Sequence, residues 1–466
     1  MIDFAHKRIA DPVHGTIGIS DLETKLIDCR AFQRLRNVKQ LGLAHLVFPG
    51  ADYSRLAHSL GVCHVTGRLI AALRVHGLFS GLDAERETQK YRLAALCHDL
   101  GHYPFSHAME EAVRDHYAAG YLKDGDADQD GALGHEEVSE LVLSRDAEVR
   151  AVVAESGIDA REVAAVFTRR DPPPFANLVS SDLDADRIDY LLRTSRHTGL
   201  PYGHVDLDYL VSQMRLDSEG RLALTAKAIR AAEHLLLCRF FDYQTVALHK
   251  TVAAMELVLK DVLLELLSRG WIDCSTPAIT AMVDNAKWVD FDDGFVLSQV
   301  QRLASESADS ARLKAQSLLT RNVPKLLGEV EWFARRSDPD FESRLKAIGG
   351  QKAHWAASGG LPPELMCVWH QKFPLTKAGA VVPYEALDDV DEQEDNLDQS
   401  IRILARSGHE SKAIFDWQRS LTSVLADKAL YTIRVYALIP PDDAGARERL
   451  RSAITSSPLA EVLPWN

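Results

Sequence analysis

The hydrophobic pattern over the first 265 residues is one of helices separated by polar breaks. Apolar positions recur at helical spacing over residues 31–40, 60–76, 91–100, 107–118, 136–143 and 183–195. Residues 50–54 read as a turn, and Pro172, Pro173 and Pro174 form a hard break. The longest helical pattern, 227–267, is apolar on one side and runs to a break near Gly270. Residues 275–303 and 310–331 keep the helical texture. From Leu361 the texture changes, and ELMCVWHQKF and ALYTIRVYALI, rich in β-branched and aromatic residues, predict strands. The acidic run at 385–398 reads as a solvated loop or linker. No internal repeat is present. The pattern predicts a mainly α chain: a helical core over 1–265, a helical extension over 266–384, and a small α+β region over 385–466.

Charge narrows the partners. The 466 residues carry a formal net charge of −14, which disfavours stable nucleic-acid binding, because phosphate contact needs a basic face. A local basic pocket for one phosphorylated small molecule remains compatible with it. The cysteines Cys29, Cys63, Cys97, Cys238, Cys274 and Cys367 form no CxxC pair, and most lie in apolar runs. Buried free thiols are expected, as in a reducing cytoplasm. The N-terminal MIDFAHKRIADPVHG lacks the apolar core of a signal peptide. No run approaches the roughly 18 uninterrupted apolar residues of a membrane span. A cytoplasmic chain without a membrane partner is the expectation.

The strongest chemical signal is LCHDLGHYPFSH at 96–107. His98 and Asp99 end an apolar helix, which would seat them rigidly in the core. Neighbouring side chains on a helix point about 100° apart. One cation against that helix end, with further ligands from elsewhere, would join them. His102 and His107 follow on the exit segment. An imidazole and carboxylate set suits a divalent Mn, Fe, Ni, Co, Zn or Mg rather than a structural thiolate zinc. RLAHSLGV places His58 at a helix start about 40 residues upstream. DLDADRIDYLLRTSRHTG supplies Asp184, Asp186 and Asp189 downstream, with Asp186, Asp189, Tyr190 and Arg193 on one helix side.

This order of H…HD…D is the signature of HD-domain proteins, and the chain resembles their deoxynucleoside triphosphate triphosphohydrolase branch, which includes the vertebrate sterile-alpha-motif HD enzyme and bacterial relatives. The likeness covers about residues 7 to 335. It rests on DPVHG, FQRLRNVKQLG, VFPGA, RLAHSLGV, LCHDLGHYPFSH, GHEE, DADRIDYLLR and LHKTV. It implies a helical HD catalytic domain whose divalent metal is held by His58, His98, Asp99 and Asp186. Arg55, His102, His107, Arg187 and Arg239 would meet phosphates. His135 would be the catalytic histidine with Glu110 as its carboxylate partner, and His102 would assist. Gln40 and Tyr190 would pack on the sugar. The implied reaction cleaves at the α-phosphorus of a dNTP and releases nucleoside and triphosphate. Homo-oligomerisation is implied as well.

Several positions depart from that pattern or stand outside it. Thr194 replaces the aspartate that accepts a hydrogen bond from the sugar 3′-hydroxyl. Ala247 and Tyr243 replace a tyrosine and a histidine near the sugar. These changes keep two alternatives open, a nucleotide-binding sensor and a phosphodiesterase or nucleotidase on another phosphoester. Asp28, Gln33 and Arg36 match positions of a regulatory guanine site, and ordinary helix contacts are the competing reading. A nucleotide effector would bind there. DADQDGALGHEE fits a calcium loop with Asp126, Asp128, Asp130 and Glu137 as oxygen ligands, or a plain acidic insert. RNVPKLLGEVE places Lys325 either near a neighbouring subunit's ligand or at an exposed helix end.

Overall fold

A computed structural model describes residues 6–81, 83–121, 132–168, 172–179, 181, 183–374, 400–405, 410–425, 427–443 and 445–459. The chain is mainly α with a few small sheets. It opens on an antiparallel hairpin, β1 (Lys7–Asp11) and β2 (Gly15–Ile19). Helix α1 (Asp21–Asp28) starts at a capping box of Ser20 and Glu23. The short α2 (Arg30–Gln33) passes into a tight turn, Arg34–Asn37. The helix expected over 31–40 therefore stops at 37. Beyond it Arg55 N donates to Val38 O (2.9 Å) and Gln40 N to Tyr53 O (3.0 Å), so this stretch pairs with the one leading into the next helix.

The helical body follows with α3 (Arg55–Arg74), α4 (Ala84–Cys97), α5 (His107–Tyr121), α6 (His135–Arg145), α7 (Ala147–Glu155), α8 (Ala160–Thr168), α9 (Ala185–Thr198) and α10 (Leu207–Ser212). Next come strands β3 (Met214–Leu216) and β4 (Leu222–Leu224), then α11 (Ile229–Asp242), α12 (Lys250–Ser268), α13 (Thr276–Asp284), α14 (Asp293–Glu306) and α15 (Ser310–Thr320). One apolar core runs from Ile17 to Ala315 and also takes in Ile401, Ile403 and Ile414. By length and composition α3 could cross a membrane, but 67% of its apolar window is buried in this core.

The pattern over 227–267 is two helices rather than one. Between α11 and α12 the backbone widens into a π turn, Tyr243–Ala247, with Leu248 N bonded to Tyr243 O at 2.7 Å. Leu248 O leaves the helix ladder and accepts from Arg434 at 2.6 Å. The helix expected over 310–331 also divides. Arg321 adopts a left-handed conformation (φ 55°) and Pro324 follows, which ends α15 and starts the strand β5 (Lys325–Arg335). Lys325 is exposed at the strand start rather than on a helix.

Helix α16 (Pro339–Gly359), whose pattern Gly349 and Gly350 interrupt, precedes β6 (Met366–Pro374). The chain resumes with β7 (Arg402–Leu404), β8 (Ser411–Ala413), α17 (Leu421–Leu425), β9 (Lys428–Ala437) and α18 (Ala446–Thr455). Strand β9 lies between β5 and β6, antiparallel to both. Its alternation has two destinations. Tyr431, Ile433 and Val435 enter a second core with Trp355 and Leu450. Arg434 and Tyr436 face the helical body, where Tyr436 Oη donates to Lys250 O at 2.9 Å. Strands β3, β4, β7 and β8 form a separate sheet.

Close packing of α3 on α9 depends on Gly61, where a Cβ would run into the Asp189 carboxylate and the Arg193 guanidinium. Gly61→Ala is expected to destabilise the fold by about 1–3 kcal/mol through overpacking. A shift of the urea midpoint at unchanged slope would show it; an unshifted midpoint would mean the helices part freely.

Candidate functional site

Three helix ends meet at one point. His58 lies in the first turn of α3, behind its cap Ser54. His98 and Asp99 follow the end of α4, and Asp186 lies in the first turn of α9, behind its cap Asp184. Ligand atoms of His58, His98 and Asp99 all fall within 4.8 Å of one another. Asp186 Oδ1 joins them 2.9 Å from His58 Nε2. His58 and Asp99 are buried and the His98 side chain is only 11% exposed. Each histidine has Nδ1 already occupied, His58 by Asp189 Oδ2 (2.7 Å) and His98 by Ala95 O (2.8 Å). Both Nε2 atoms are buried and make no aligned hydrogen bond, although carboxylate oxygens of Asp186 (2.9 Å from His58) and Asp99 (3.3 Å from His98) stand beside them. Two orphaned imidazole nitrogens beside two carboxylates are what a divalent cation requires. Burial disfavours charge on His58, yet Asp186 and Asp189 push it up to about 10, so the point is built to take a positive charge. Burial works against Asp99 too, but Arg55, His98 and His102 hold it well below the usual carboxylate range.

Beside this point stands a histidine cluster. The rings of His102 and His135 stack with centroids 4.1 Å apart and planes 17° apart. His102 Nε2 lies 3.2 Å from Asp99 Oδ1, which links the two groups. Burial first, then the Arg55 charge, holds His102 neutral. His135 Nδ1 sits 3.1 and 3.2 Å from the Glu110 oxygens. Burial would lower the His135 pKa, but Glu110 outweighs it and the net shift is upward. His107, largely exposed, reaches the same carboxylate at 3.6 Å. A cleft of about 290 Å³ opens here, lined by Glu110, Gly134, His135, Glu136, Glu137 and Thr168.

The remaining candidates fall into two groups. Arg55 is buried, bonded through Nη1 to Asp99 (2.7 Å) and through Nε to Ser106 (2.9 Å). Arg187 lies 3.9 Å from Asp184. Tyr190, one turn beyond Asp186, has a buried hydroxyl without a partner, and so does the Gln40 side-chain oxygen. Arg239 is buried, 5.5 Å above the ring of Tyr243. In contrast, Gln33 and Arg36 bond to each other (2.5 Å), Gln33 also donates to Ile27 O, and Asp28 lies 3.7 Å from Lys7 at the surface. Asp126, Asp128 and Asp130 lie outside the described residues. Glu137 accepts from Gly134 N at 3.0 Å as part of the α6 cap.

A family model for the HD domain matches residues 55–193, and one for an HD-associated region matches 205–344. This is an HD-domain protein. The chain is 34% identical over 264 residues to the uncharacterized protein YwfO of Bacillus subtilis, covering 55% of each. It is 26% identical over 334 residues to a protein of Dictyostelium discoideum named deoxynucleoside triphosphate triphosphohydrolase SAMHD1 homolog, covering 70% of this chain and 60% of that one. Among solved structures, a phosphohydrolase from Bacteroides thetaiotaomicron superposes with a TM-score of 0.66 at 25% identity, covering 92% of this chain and 99% of that one. The chain spans just over half the length of the curated relatives it matches.

The HD core also uses residues whose part was not read from the sequence. Asp189, fully buried, receives Arg193 through two nitrogens (2.9 Å each), His14 (2.7 Å) and His58. Arg193 in turn meets Asp11 at 2.9 Å, so the DPVHG hairpin braces the His58 ring. The repetition of Asp at 186 and 189 and the charged DPVHG were the available signals. Asp293 of the HD-associated region accepts from Phe105 N (2.8 Å) and Lys39 N (3.0 Å). Arg34, over the Trp288 ring, donates to His102 O at 2.8 Å. Thr194 is turned to Tyr53, hydroxyl to hydroxyl at 3.0 Å.

Asp189→Asn keeps the shape but loses the charge that orients His58. Metal affinity is expected to fall about 10–100-fold, read by titrating the purified protein with Mn²⁺. An unchanged affinity would detach Asp189 from the metal point.

Proposed function

We propose that this chain is a metal-dependent phosphohydrolase acting on nucleotides, and specifically a dNTP triphosphohydrolase that releases nucleoside and triphosphate. The observation that carries the reading is the convergence of the two orphaned histidine nitrogens and Asp99, with the His102–His135 pair beside them. The names of the Dictyostelium and Bacteroides relatives support, respectively, the substrate class and the reaction class.

In this reading His58, His98, Asp99 and Asp186 hold a divalent ion of Mn, Mg, Fe, Ni, Co or Zn. Such an ion would supply Lewis-acid polarisation of a phosphoryl oxygen and of an attacking water. Arg55, Arg187 and Arg239 spread positive charge for the phosphates, and His102 and His107 donate hydrogen bonds. Glu110 fixes His135 through Nδ1, leaving Nε2 to give a proton to the ester oxygen that departs with the nucleoside. Tyr190 and Gln40, each with a free polar atom, face the nucleoside. The Thr194–Tyr53 bond and Ala247 favour a second reading, a nucleotide sensor or a phosphoesterase with another substrate.

A panel of dNTPs, NTPs and NMPs with Mn²⁺ or Mg²⁺, products identified by mass spectrometry, tests the reading. Triphosphate release from dNTPs, abolished in His98→Ala, is expected. If no nucleotide loses phosphate, pyrophosphate or triphosphate under any metal, the proposal fails. Tight nucleotide binding without turnover would select the sensor.

The His135 shift sets the pH profile. Its acid form persists above the ordinary histidine range because Glu110 raises it, so activity is lost as pH rises through that raised value. Glu110→Gln removes the raising charge and leaves the burial that lowers. The basic limb of kcat/KM is expected to move down by about one pH unit or more; an unmoved limb would exclude His135 as the proton donor.

A further inference from the structure

Arg34 is a buried cation, 2% exposed, that makes no ion pair among the described residues, and its Nη1 is buried without an acceptor. Such a group weakens a fold, and an apolar side chain of similar length would fill the space without that cost. The guanidinium instead joins two backbone carbonyls from stretches far apart in the chain. Nε donates to Phe291 O at 2.7 Å and Nη2 to His102 O at 2.8 Å, with Cζ 4.1 Å from the centre of the Trp288 ring. A flat cation resting on an aromatic face presents its N–H donors edge-on in both directions, which a single ammonium does not match.

One of those carbonyls belongs to the residue that joins the candidate metal point to the histidine pair. His102 stands 3.2 Å from Asp99 through Nε2 and stacks on His135 at 4.1 Å. The residues just before it are already tied. Trp288 Nε1 donates to Leu100 O at 3.1 Å. Gly101 N donates at 2.8 Å to the hydroxyl of Ser139, one turn beyond His135 on α6. A Cβ at Gly101 would run into the backbone of His135 and Ser139, so α6 lies directly on this segment. These contacts fix residues 100 and 101 relative to His135. The peptide that follows His102 is held by Arg34.

We propose that Arg34 is a positioning residue: by holding the His102 carbonyl it sets the His102–His135 stack, and with it the place from which His135 delivers its proton. The stack follows from the geometry, and its catalytic consequence rests on the phosphohydrolase reading above. Phe291 and Trp288 belong to the HD-associated region, so that region takes part in placing the pair through Arg34.

Two measurements on the full chain test it. The first needs no turnover: NMR spectra of histidine-labelled protein, with the His102 and His135 ring signals assigned from His102→Gln and His135→Gln. Wild type is expected to show the upfield shift of stacked rings, and Arg34→Met to lose it. The second is nucleotide hydrolysis in Mn²⁺. There Arg34→Met is expected to lower kcat about 10–100-fold, the effect of misplacing a reacting group by about an ångström, with KM little changed. A packing role alone would lower the melting temperature and leave both the ring signals and the kcat of the folded protein in place. Arg34→Lys, with one nitrogen for two carbonyls, is expected to lose a smaller part of kcat, and it decides the matter if the methionine variant does not fold. Unmoved ring signals overturn the assignment, as does an undiminished kcat, and both leave the phosphohydrolase reading standing. Wild-type protein that cleaves no nucleotide under any metal brings down that reading itself, and the ring signals alone then decide whether Arg34 sets the stack.

Discussion

The bond from His58 Nδ1 to Asp189 governs the geometry of everything around it. With Nδ1 committed, the imidazole can present only Nε2 to the interior, and the ring cannot turn away. Asp189 can remain charged at full burial because Arg193 meets it with two nitrogens and His14 with a third. A buried carboxylate is tolerable only when so surrounded. The same contacts explain why α3 and α9 lie so close. The glycine at 61 is the space that Asp189 and Arg193 occupy, so helix packing and ligand orientation are one constraint.

Around that fixed ring the charges are sorted. Carboxylates from α4 and α9 converge where His58 and His98 aim their free nitrogens. One helix end further, His102 is held neutral while His135 is drawn toward its protonated form by Glu110. Stacked rings of the same residue type thus occupy opposite protonation tendencies, set by which neighbour faces each. Arg55 is wedged against Asp99, and its second bond to Ser106 ties the candidate metal point to the loop that leads to His107.

The helical fold was legible where periodicity was strong and locally capped, as over α3, α6 and α9. The strands β6 and β9 were legible from their β-branched and aromatic content. Sequence reading failed where a distant partner decided. The break at Tyr243–Ala247 answers to Arg434, nearly two hundred residues away. Strand β5 looked helical because Leu326, Leu327 and Val330 sit at helical spacing, but Pro324 and the β9 edge overrule it. The four candidate ligands were legible as a motif. Their bracing by Asp11, His14 and Asp293 was not, because those bonds cross as many as 254 positions.

The loop between His98 and α5 carries two consecutive non-glycine residues, Phe105 (φ 55°) and Ser106 (φ 54°), in the left-handed region. Such conformations cost of order 1–3 kcal/mol each unless the surroundings enforce them. Here the enforcing groups are the Asp293 carboxylate on Phe105 N and the Arg55 guanidinium on the Ser106 hydroxyl. One of these two fastenings therefore comes from outside the HD domain, from the first turn of a helix that begins 107 residues past Asp186, the last of the four candidate ligands. A chain cut short of that helix would keep every candidate ligand and lose the clasp that bends the loop between them.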